Sequence, residues 1–215
     1  MNIGIFGTGS VGAAIGSKLI ELGHAVKMGA RSATNEKAAA WVSGAGPNAS
    51  HGTFADAAAF GEVLFNATSG QGSLEALAQA GAENMRGKVL VDIANPLDFS
   101  RGMPPSLTIV NTDSLGEQIQ RAFPEVRVVK SLNTMNANVM VNPALVPGDH
   151  DVFVSGDDAE AKAQVTTILR DWFGWRSIID LGGIASARGV EMILPLWVNL
   201  MVVKQTPMFN FRVVQ

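Results

Sequence analysis

Short, almost continuously apolar runs alternate with segments of helical periodicity along most of the chain. The stretches EVLFNAT (62–68) and KVLVDIA (88–94) contain few polar positions and are bounded by turn residues, as interior strands of a parallel sheet are. After the first apolar run, hydrophobic residues recur at the spacing of a helix, which Gly23 ends. This alternation predicts an α/β fold in which helices cover both faces of a sheet.

The individual elements follow from the same pattern. Strands are predicted over residues 2–7, 24–29, 62–68, 88–94, 126–133, 151–156 and 176–183, and a strand or a turn over 49–54. Helices are predicted over residues 11–22, 36–46, around 74–78, 114–123 and 158–172, and as one continuous apolar helix over 185–204. Ser114 and Glu117 have the spacing of a capping box at a helix start.

The last predicted helix is apolar nearly all round, so a monomer would leave much of its hydrophobic surface exposed. We therefore expect a homodimer. The most apolar run, residues 192–203, is shorter than the ~20 residues that cross a bilayer. It also contains Pro195 and Asn199. No membrane-spanning helix is expected.

Composition narrows the classes of function. The 215 residues are 47% hydrophobic and 16% charged, which suits one α/β domain with a small helical appendage. The formal net charge of −3 predicts no general attraction to nucleic acid. The absence of cysteine excludes disulfides, iron–sulfur ligation and thiol catalysis, and it is consistent with a reducing cytoplasm. We expect no signal peptide, because the N-terminus lacks a basic leader, and no metal site, because the three histidines lack ligand spacing.

A glycine-rich turn follows the first predicted strand. Gly7, Gly9 and Gly12 in GIFGTGSVG have the G-x-G-x-x-G spacing and lie between a strand and a helix. Gly7 permits the tight turn, Gly9 lets the backbone approach a pyrophosphate, and Gly12 lets the helix pack on the strand. The free N–H groups at the helix start are then expected to bind the diphosphate of a dinucleotide.

The loop after the second strand indicates which dinucleotide this is. Where NAD sites commonly carry an acidic residue for the adenosine ribose, this chain has Ala30, followed by Arg31 and Ser32. A guanidinium and a hydroxyl bind a 2′-phosphate through charge-assisted hydrogen bonds, whereas a carboxylate would repel it. Three further polar residues of this loop can join the cluster: Thr34, Asn35 and Lys37. The loop therefore predicts NADP(H).

Five segments, in this order, resemble one known family. GIFGTGSVG, GARS, DIANPL (92–97), VVKSLNTMNANVM (128–140) and VFVSGDDAEAK (152–162) are similar to segments of the NADPH-dependent F420 reductases. They are also similar to the oxidoreductase domain of the membrane-bound STEAP ferric reductases. The resemblance covers most of the chain. It implies that a hydride passes between NADPH and a small-molecule acceptor, either a deazaflavin such as F420 or a flavin.

The resemblance also implies a domain organisation. The expected fold is a Rossmann-type, doubly wound, mostly parallel sheet that forms an NADP-binding domain over residues 1–183. A small C-terminal helical lobe over residues 184–215 would pack on the cleft or on a dimer interface.

The same resemblance assigns further residues to the cofactor, beyond the three glycines and the loop cations. Thr8, Ser10 and Val11 would line the turn at the pyrophosphate, and Thr68 and Ser69 would lie beside the diphosphate and the nicotinamide ribose. Asn95 and Pro96 would border the nicotinamide, and Asn133 and Ala137 would face its carboxamide. All lie at the carboxyl ends of predicted strands, where an open α/β sheet binds its ligand.

The sequence offers no evident acid or base. There is no tyrosine and no Ser-His-Asp arrangement. Asp92 is interpreted as a hydrogen-bonded structural carboxylate, and Lys130 as a secondary candidate for the cleft. Hydride exchange between two redox cofactors tolerates this scarcity, because positioning supplies most of the rate.

Two other functions stay open. One is the reduction of a small carbonyl or imine, which would call for a proton donor and normally for a larger helical domain. The other is a redox sensor that binds NADP(H) without turnover. A cleft plugged by Trp197, Met208 or Phe209 would favour the sensor, and an open cleft would favour an enzyme.

Overall fold

The computed structural model describes residues 1–215 and contains ten β-strands. In chain order they are β1 Asn2–Phe6, β2 Ala25–Ala30, β3 Ala49–Thr53, β4 Val63–Asn66, β5 Val89–Asp92, β6 Leu97–Asp98, β7 Ser106–Leu107, β8 Arg127–Ser131, β9 Asp151–Ser155 and β10 Ser177–Asp180. Eight of them form one sheet in the order β10-β9-β8-β5-β4-β1-β2-β3. The other two, β6 and β7, pair as a short antiparallel ribbon.

The large sheet is parallel except at one pair of neighbours. β8 and β9 are antiparallel, and β10 is parallel to β9, so these last two strands run opposite to the other six. The chain adds β2 and β3 on one side of β1 and then places β4 on its other side. The strand order therefore reverses between β1 and β4, which is the point where open α/β sheets bind ligands. The predicted doubly wound, mostly parallel sheet is confirmed.

Helices cover both faces of the sheet. They are α1 Ser10–Glu21, α2 Glu36–Ala45, α3 Phe54–Phe60, α4 Ser73–Ala80, α5 Ala82–Met85, α6 Leu115–Ala122, α7 Ala137–Val141, α8 Ala159–Thr167, α9 Ala187–Met192 and α10 Leu194–Lys204. Ile5 belongs to a cluster of 23 buried hydrophobic residues and its neighbour Phe6 to a separate cluster of 18. Successive strand residues point to opposite faces, so both faces of the sheet are buried.

The prediction of a single helix over residues 185–204 is wrong. Two helices, α9 and α10, occupy this segment, with Ile193 between them. Pro195 stands in the first turn of α10. It has no N–H group to continue the hydrogen-bond ladder of α9, and it is well suited to the start of a new helix.

The prediction of a capping box at Ser114 is half right. The Ser114 hydroxyl accepts a hydrogen bond from the Glu117 N–H, but the Glu117 carboxylate binds the guanidinium of Arg188. A complete capping box stands instead at α3, where Thr53 and Asp56 bond each other's N–H groups. The sequence pattern had not predicted this short helix.

α10 is only lightly covered by the rest of the chain. Leu194 and Val198 are its two buried residues, whereas Val202 is 60% and Val203 is 77% exposed. By length and mean hydropathy alone, the segment Ile184–Lys204 is long enough and apolar enough to cross a bilayer, a criterion that core helices of globular proteins also meet. The homodimer and the domain boundary after residue 183 stay predictions.

Candidate functional site

The glycine turn between β1 and α1 has the geometry that its sequence predicts. Gly7 has a φ of 113°, and a Cβ added there would lie 2.5 Å from the carbonyl oxygen of Ala67. A Cβ on Gly12 would overlap the carbonyl oxygen of Gly7, whereas a Cβ on Gly9 would meet no atom within 4 Å. Gly7 and Gly12 are therefore required by the chain itself, and Gly9 keeps a surface clear.

The N-terminus of α1 has unsatisfied donors at this clear surface. Gly9 is the N-cap residue of α1, and no side chain caps the helix there. The first N–H groups of a helix have no partner within it, and together with the helix dipole they form a ready anion site. This turn therefore suits a diphosphate.

Substitutions at Gly9 and Gly12 are expected to separate a ligand role from a structural one. Gly9→Ala should change the free energy of unfolding by less than about 1 kcal/mol while weakening NADPH binding, because its methyl group would project where a diphosphate approaches. Gly12→Ala should cost about 1–3 kcal/mol of stability, because the added carbon overlaps backbone. Urea denaturation and NADPH titration of both variants measure the two effects. Equal stability losses would contradict the assignment.

A groove of about 290 Å³ runs from this turn to the end of β2. Five of the residues predicted to bind the cofactor line it: Gly7, Gly9, Thr8, Thr68 and Ser69. Arg31 lines it as well, and one Nη of its guanidinium would lie 3.8 Å from a Cβ on Gly72, so the cation reaches across the groove.

The other polar residues of the loop after β2 differ from Arg31 in their positions and contacts. Ser32 and Lys37 are exposed and lie outside the lining of the groove. The hydroxyls of Ser32 and Thr34 are 2.8 Å apart, and Asn35 caps α2 by accepting from the Ala38 N–H. Of the two predicted cations of this loop, Arg31 therefore lines the groove and Lys37 does not.

A second cavity, of about 650 Å³, adjoins the groove and shares Ala67, Thr68 and Ser69 with it. Ten of its 18 lining residues are hydrophobic. Three more of the predicted cofactor residues lie in this lining: Val11, Asn95 and Asn133. Three others do not: Ser10 borders a separate groove beside α7, Pro96 is buried, and Ala137 is the half-buried first residue of α7.

Asn95 and Asn133 form a reciprocal pair at the edge of this cavity. The Asn95 amide donates to the Asn133 carbonyl oxygen at 2.9 Å, and the Asn133 amide donates to Asn95 Oδ1 at 2.9 Å. Leu132, just before Asn133, has a φ of 63°. Such a conformation is strained for a branched residue and is typical of functional sites. The pair fixes the two loops that follow β5 and β8.

A buried ionic cluster lies beneath these loops. Lys130 Nζ is 2.9 Å from an Asp92 oxygen and 2.8 Å from a Glu191 oxygen, and all three side chains are at most 1% exposed. Glu191 accepts from the N–H groups of Leu115 and Gly116 at the start of α6. Lys130 therefore does not reach the cavity, and the structural reading of Asp92 is confirmed.

The cluster connects to the cleft through a chain of hydrogen bonds. Asp92 accepts from the Asn66 amide at 2.8 Å, and Asn66 accepts from the Thr68 hydroxyl at 2.7 Å. Lys130 also donates to the carbonyl oxygen of Ala94, which lines the cavity. These contacts hold the ends of β4 and β5 in place below the site.

Sequence reasoning missed a large part of the cavity wall. Five of the missed residues lie just after β4 and β5: Ala67, Gly70, Gln71, Ile93 and Ala94. Eight others lie further along after β5, belong to the segment after β8, or come from α10: Leu97, Asp98, Phe99, Ser100, Met135, Met140, Leu194 and Trp197. All except the two from α10 follow strand ends, which was a usable signal. No local pattern predicted Leu194, and Trp197 was considered only as a possible plug of the cleft, because the position of both depends on how the C-terminal segment packs.

The cavity is not plugged by the aromatic residues of the C-terminal segment. Trp197 forms part of its wall, and Phe209 stacks on Trp197 with the ring centroids 5.4 Å apart. Met208 packs against the core of the sheet. By the criterion set from the sequence, an open cleft favours an enzyme over a sensor.

Known proteins are similar to this chain in sequence and in fold. The model of the family "NADP oxidoreductase coenzyme F420-dependent" matches residues 2–96. A crystal structure is known of a protein from Arthrobacter sp. FB24 that is provisionally named F420-dependent NADP reductase. Its sequence is 52% identical to this chain, and the two structures superpose over 99% of each chain with a TM-score of 0.94. The chain belongs to the F420-dependent NADP oxidoreductase family.

Curated relatives of this family member include larger proteins. Rat Metalloreductase STEAP3 is 32% identical over 203 residues, which are 91% of this chain and 37% of that protein. The F420-dependent NADP reductase of Methanocaldococcus jannaschii is 30% identical over 146 residues, 67% of this chain and 64% of the relative. The chain thus spans less than two thirds of either relative. An imine reductase from Bacillus cereus, 17% identical with a TM-score of 0.63 and covered over 62% of its chain, shares the fold.

Proposed function

We propose that this family member is an NADP(H)-dependent oxidoreductase that transfers a hydride between NADPH and a flavin or deazaflavin such as F420. The observation that carries the proposal is the cavity of about 650 Å³ that adjoins the dinucleotide groove. Its wall is mainly apolar and contains one charged side chain, that of Asp98. A cavity of this size and character suits a flat, uncharged ring system.

The lining of the groove supports this proposal at the two anionic parts of the dinucleotide. Arg31 supplies a cation for the 2′-phosphate, and the start of α1 at Gly9 supplies free N–H groups for the diphosphate. Thr68 and Ser69, shared by groove and cavity, then border the place where the nicotinamide ring would lie. Bound NADPH supplies the hydride.

The chain's own contribution to the reaction is positioning. The two hydrogen bonds between Asn95 and Asn133 hold this part of the cavity wall in a fixed shape. Apolar residues of the same lining, such as Met140 and Leu194, would exclude water from the space between the two rings. Holding two reactants in register removes much of the entropic barrier to a bimolecular step.

The lining offers no strong proton donor at neutral pH for a carbonyl or imine substrate. It contains no histidine, lysine or tyrosine. Hydrogen bonds from the Ser100 N–H and hydroxyl lower the pKa of Asp98 below its ordinary value, so this carboxyl is ionised at neutral pH. Reduction of a neutral carbonyl needs a proton as well as a hydride, so this alternative is less well supported than exchange with a flavin or deazaflavin.

Anaerobic NADPH oxidation against a panel of acceptors tests the proposal. The panel contains F420, FMN, FAD, riboflavin, ferric chelates, small carbonyls and cyclic imines, and NADH serves as the matched nucleotide control. We expect turnover with at least one flavin or deazaflavin and slower turnover with NADH. Turnover with carbonyls or imines alone would establish the alternative, and tight NADPH binding without any turnover would favour the sensor.

A further inference from the structure

α10 forms part of the wall of the acceptor cavity although little else in the chain holds it. It contributes Leu194 and Trp197 to that wall. Two of its eleven residues are buried, and its outer side is exposed at Leu196, Val202 and Val203. Helix stability in proteins comes mostly from packing of an apolar face, so a helix covered this lightly needs another contact to fix its position.

The indole of Trp197 has no hydrogen bond to orient it. Its Nε1 is buried and has no partner. Its evident ring contact is with Phe209, at a centroid distance of 5.4 Å and an interplanar angle of 26°. Phe209 in turn meets Phe211 edge to face, at 6.4 Å and 89°. The orientation of Trp197 therefore depends on packing, and the Phe209 ring is a major part of it.

Phe209 belongs to a tail, residues 206–215, that has no helix or strand of its own. The tail is held at Asp151, a 5% exposed residue at the start of β9. The Asp151 N–H donates to the Phe211 carbonyl oxygen at 2.9 Å, and the Asn210 amide donates to the Asp151 carbonyl oxygen at 2.9 Å. The Val213 N–H donates to the Asp151 carboxylate at 2.5 Å. The residues that follow Phe209 thus fasten the tail to the start of β9.

We propose that Phe209 is a positioning residue for the acceptor: it fixes Trp197 as a flat wall against which the acceptor ring packs. The inference rests on the proposed function, because a flat aromatic wall matters for a planar ring and little for a small carbonyl. Offset stacking is a favoured arrangement of aromatic rings. Because the C-terminal tail is hydrogen-bonded to β9, it holds Phe209, and through Phe209 the Trp197 side of the cavity, in a fixed position.

Three variants test the acceptor role. Phe209→Ala is expected to raise the KM for the flavin or deazaflavin acceptor by about threefold to tenfold. Phe209→Tyr keeps the ring and should restore the KM to within about twofold, and Val214→Ala, at an 81% exposed position of the same tail, serves as the control. The affinity for NADPH should be unchanged in all three, because the tail does not contact the dinucleotide groove. An unchanged KM in Phe209→Ala, or an equal loss of NADPH affinity, would overturn the inference.

A second measurement needs no acceptor. Acrylamide quenching of tryptophan fluorescence is measured with and without Phe209→Ala, first in the wild-type protein and then in the Trp197→Phe variant. A change that occurs only when Trp197 is present reports the accessibility of Trp197. Quenching should increase in the first background and stay the same in the second. If no flavin or deazaflavin accepts a hydride, the proposed function fails and this measurement decides the Phe209–Trp197 contact by itself. Quenching that stays the same in both backgrounds overturns that contact.

Discussion

Replacing Lys130 by methionine is expected to lower the free energy of unfolding by about 3–5 kcal/mol, the usual cost of removing one partner from a buried ion pair. Lys130 is fully buried between Asp92 and Glu191, at 2.9 and 2.8 Å. Without the ammonium group, two carboxylates would stay in the interior without a cation. The Leu115 and Gly116 N–H groups would offset part of the charge of Glu191.

This stabilisation should be complete at neutral pH. Burial acts to lower the pKa of Lys130, but the charges of Asp92 and Glu191 outweigh it and raise the pKa above the ordinary value of 10.5. A raised pKa means that the folded state holds the proton more tightly than the unfolded state. The contribution is therefore fully present below pH 10.5 and is lost only as the pH rises through the folded-state pKa.

Lys162→Met is the matched control. Lys162 Nζ is also 2.9 Å from a carboxylate, that of Asp180, but this carboxylate is 55% exposed. The Lys162 side chain is 15% exposed and also donates to the Gly182 carbonyl oxygen, but water screens its exposed partner, so the control should lose less than about 2 kcal/mol. Urea denaturation of the wild type and both variants at pH 7 measures the difference. Similar small losses in the two variants would show that the buried cluster does not stabilise the fold.

Replacing Arg31 by alanine is expected to weaken NADPH binding by about tenfold or more while leaving NADH binding nearly unchanged. The guanidinium lines the groove at the end of β2, and no carboxylate lines that groove. A charge-assisted bond to a 2′-phosphate contributes about 1.5–3 kcal/mol, and 1.4 kcal/mol corresponds to tenfold in affinity. NADH has no 2′-phosphate, so removing the Arg31 guanidinium removes no charged contact with it.

Lys37→Ala is the control for position. Lys37 carries the same charge on the first turn of α2, but it lies outside the groove. Exposed charges interact through screened, high-dielectric water, so the effect on NADPH should stay below about threefold. Fluorescence titration with both nucleotides, repeated at raised salt, separates the two positions. Equal losses of NADPH and NADH in Arg31→Ala would contradict the proposed 2′-phosphate site.

The sequence and the structure agree best where a local rule acts. Gly7 and Gly12 of the glycine turn were predictable because backbone atoms leave no room for a Cβ at either position. The helix predicted from residue 158 begins there for a similarly local reason, because Asp158 caps α8 by accepting from the Ala161 N–H. The predictions at Ser114 and over 185–204 needed correction, because Arg188 draws the Glu117 carboxylate away and Pro195 divides the last helix.

The order of residues along the chain determined the alternating elements, the glycine turn and the cation that follows β2. These features depend on periodicity and on contacts within one turn or one strand. Only the tertiary structure decided that β9 and β10 run opposite to the other strands, and that Glu191 reaches an α6 N-terminus 75 residues away. It also decided that Trp197 forms a wall of the cavity. Such contacts join distant segments, and their energy depends on how whole elements pack, which no local pattern records.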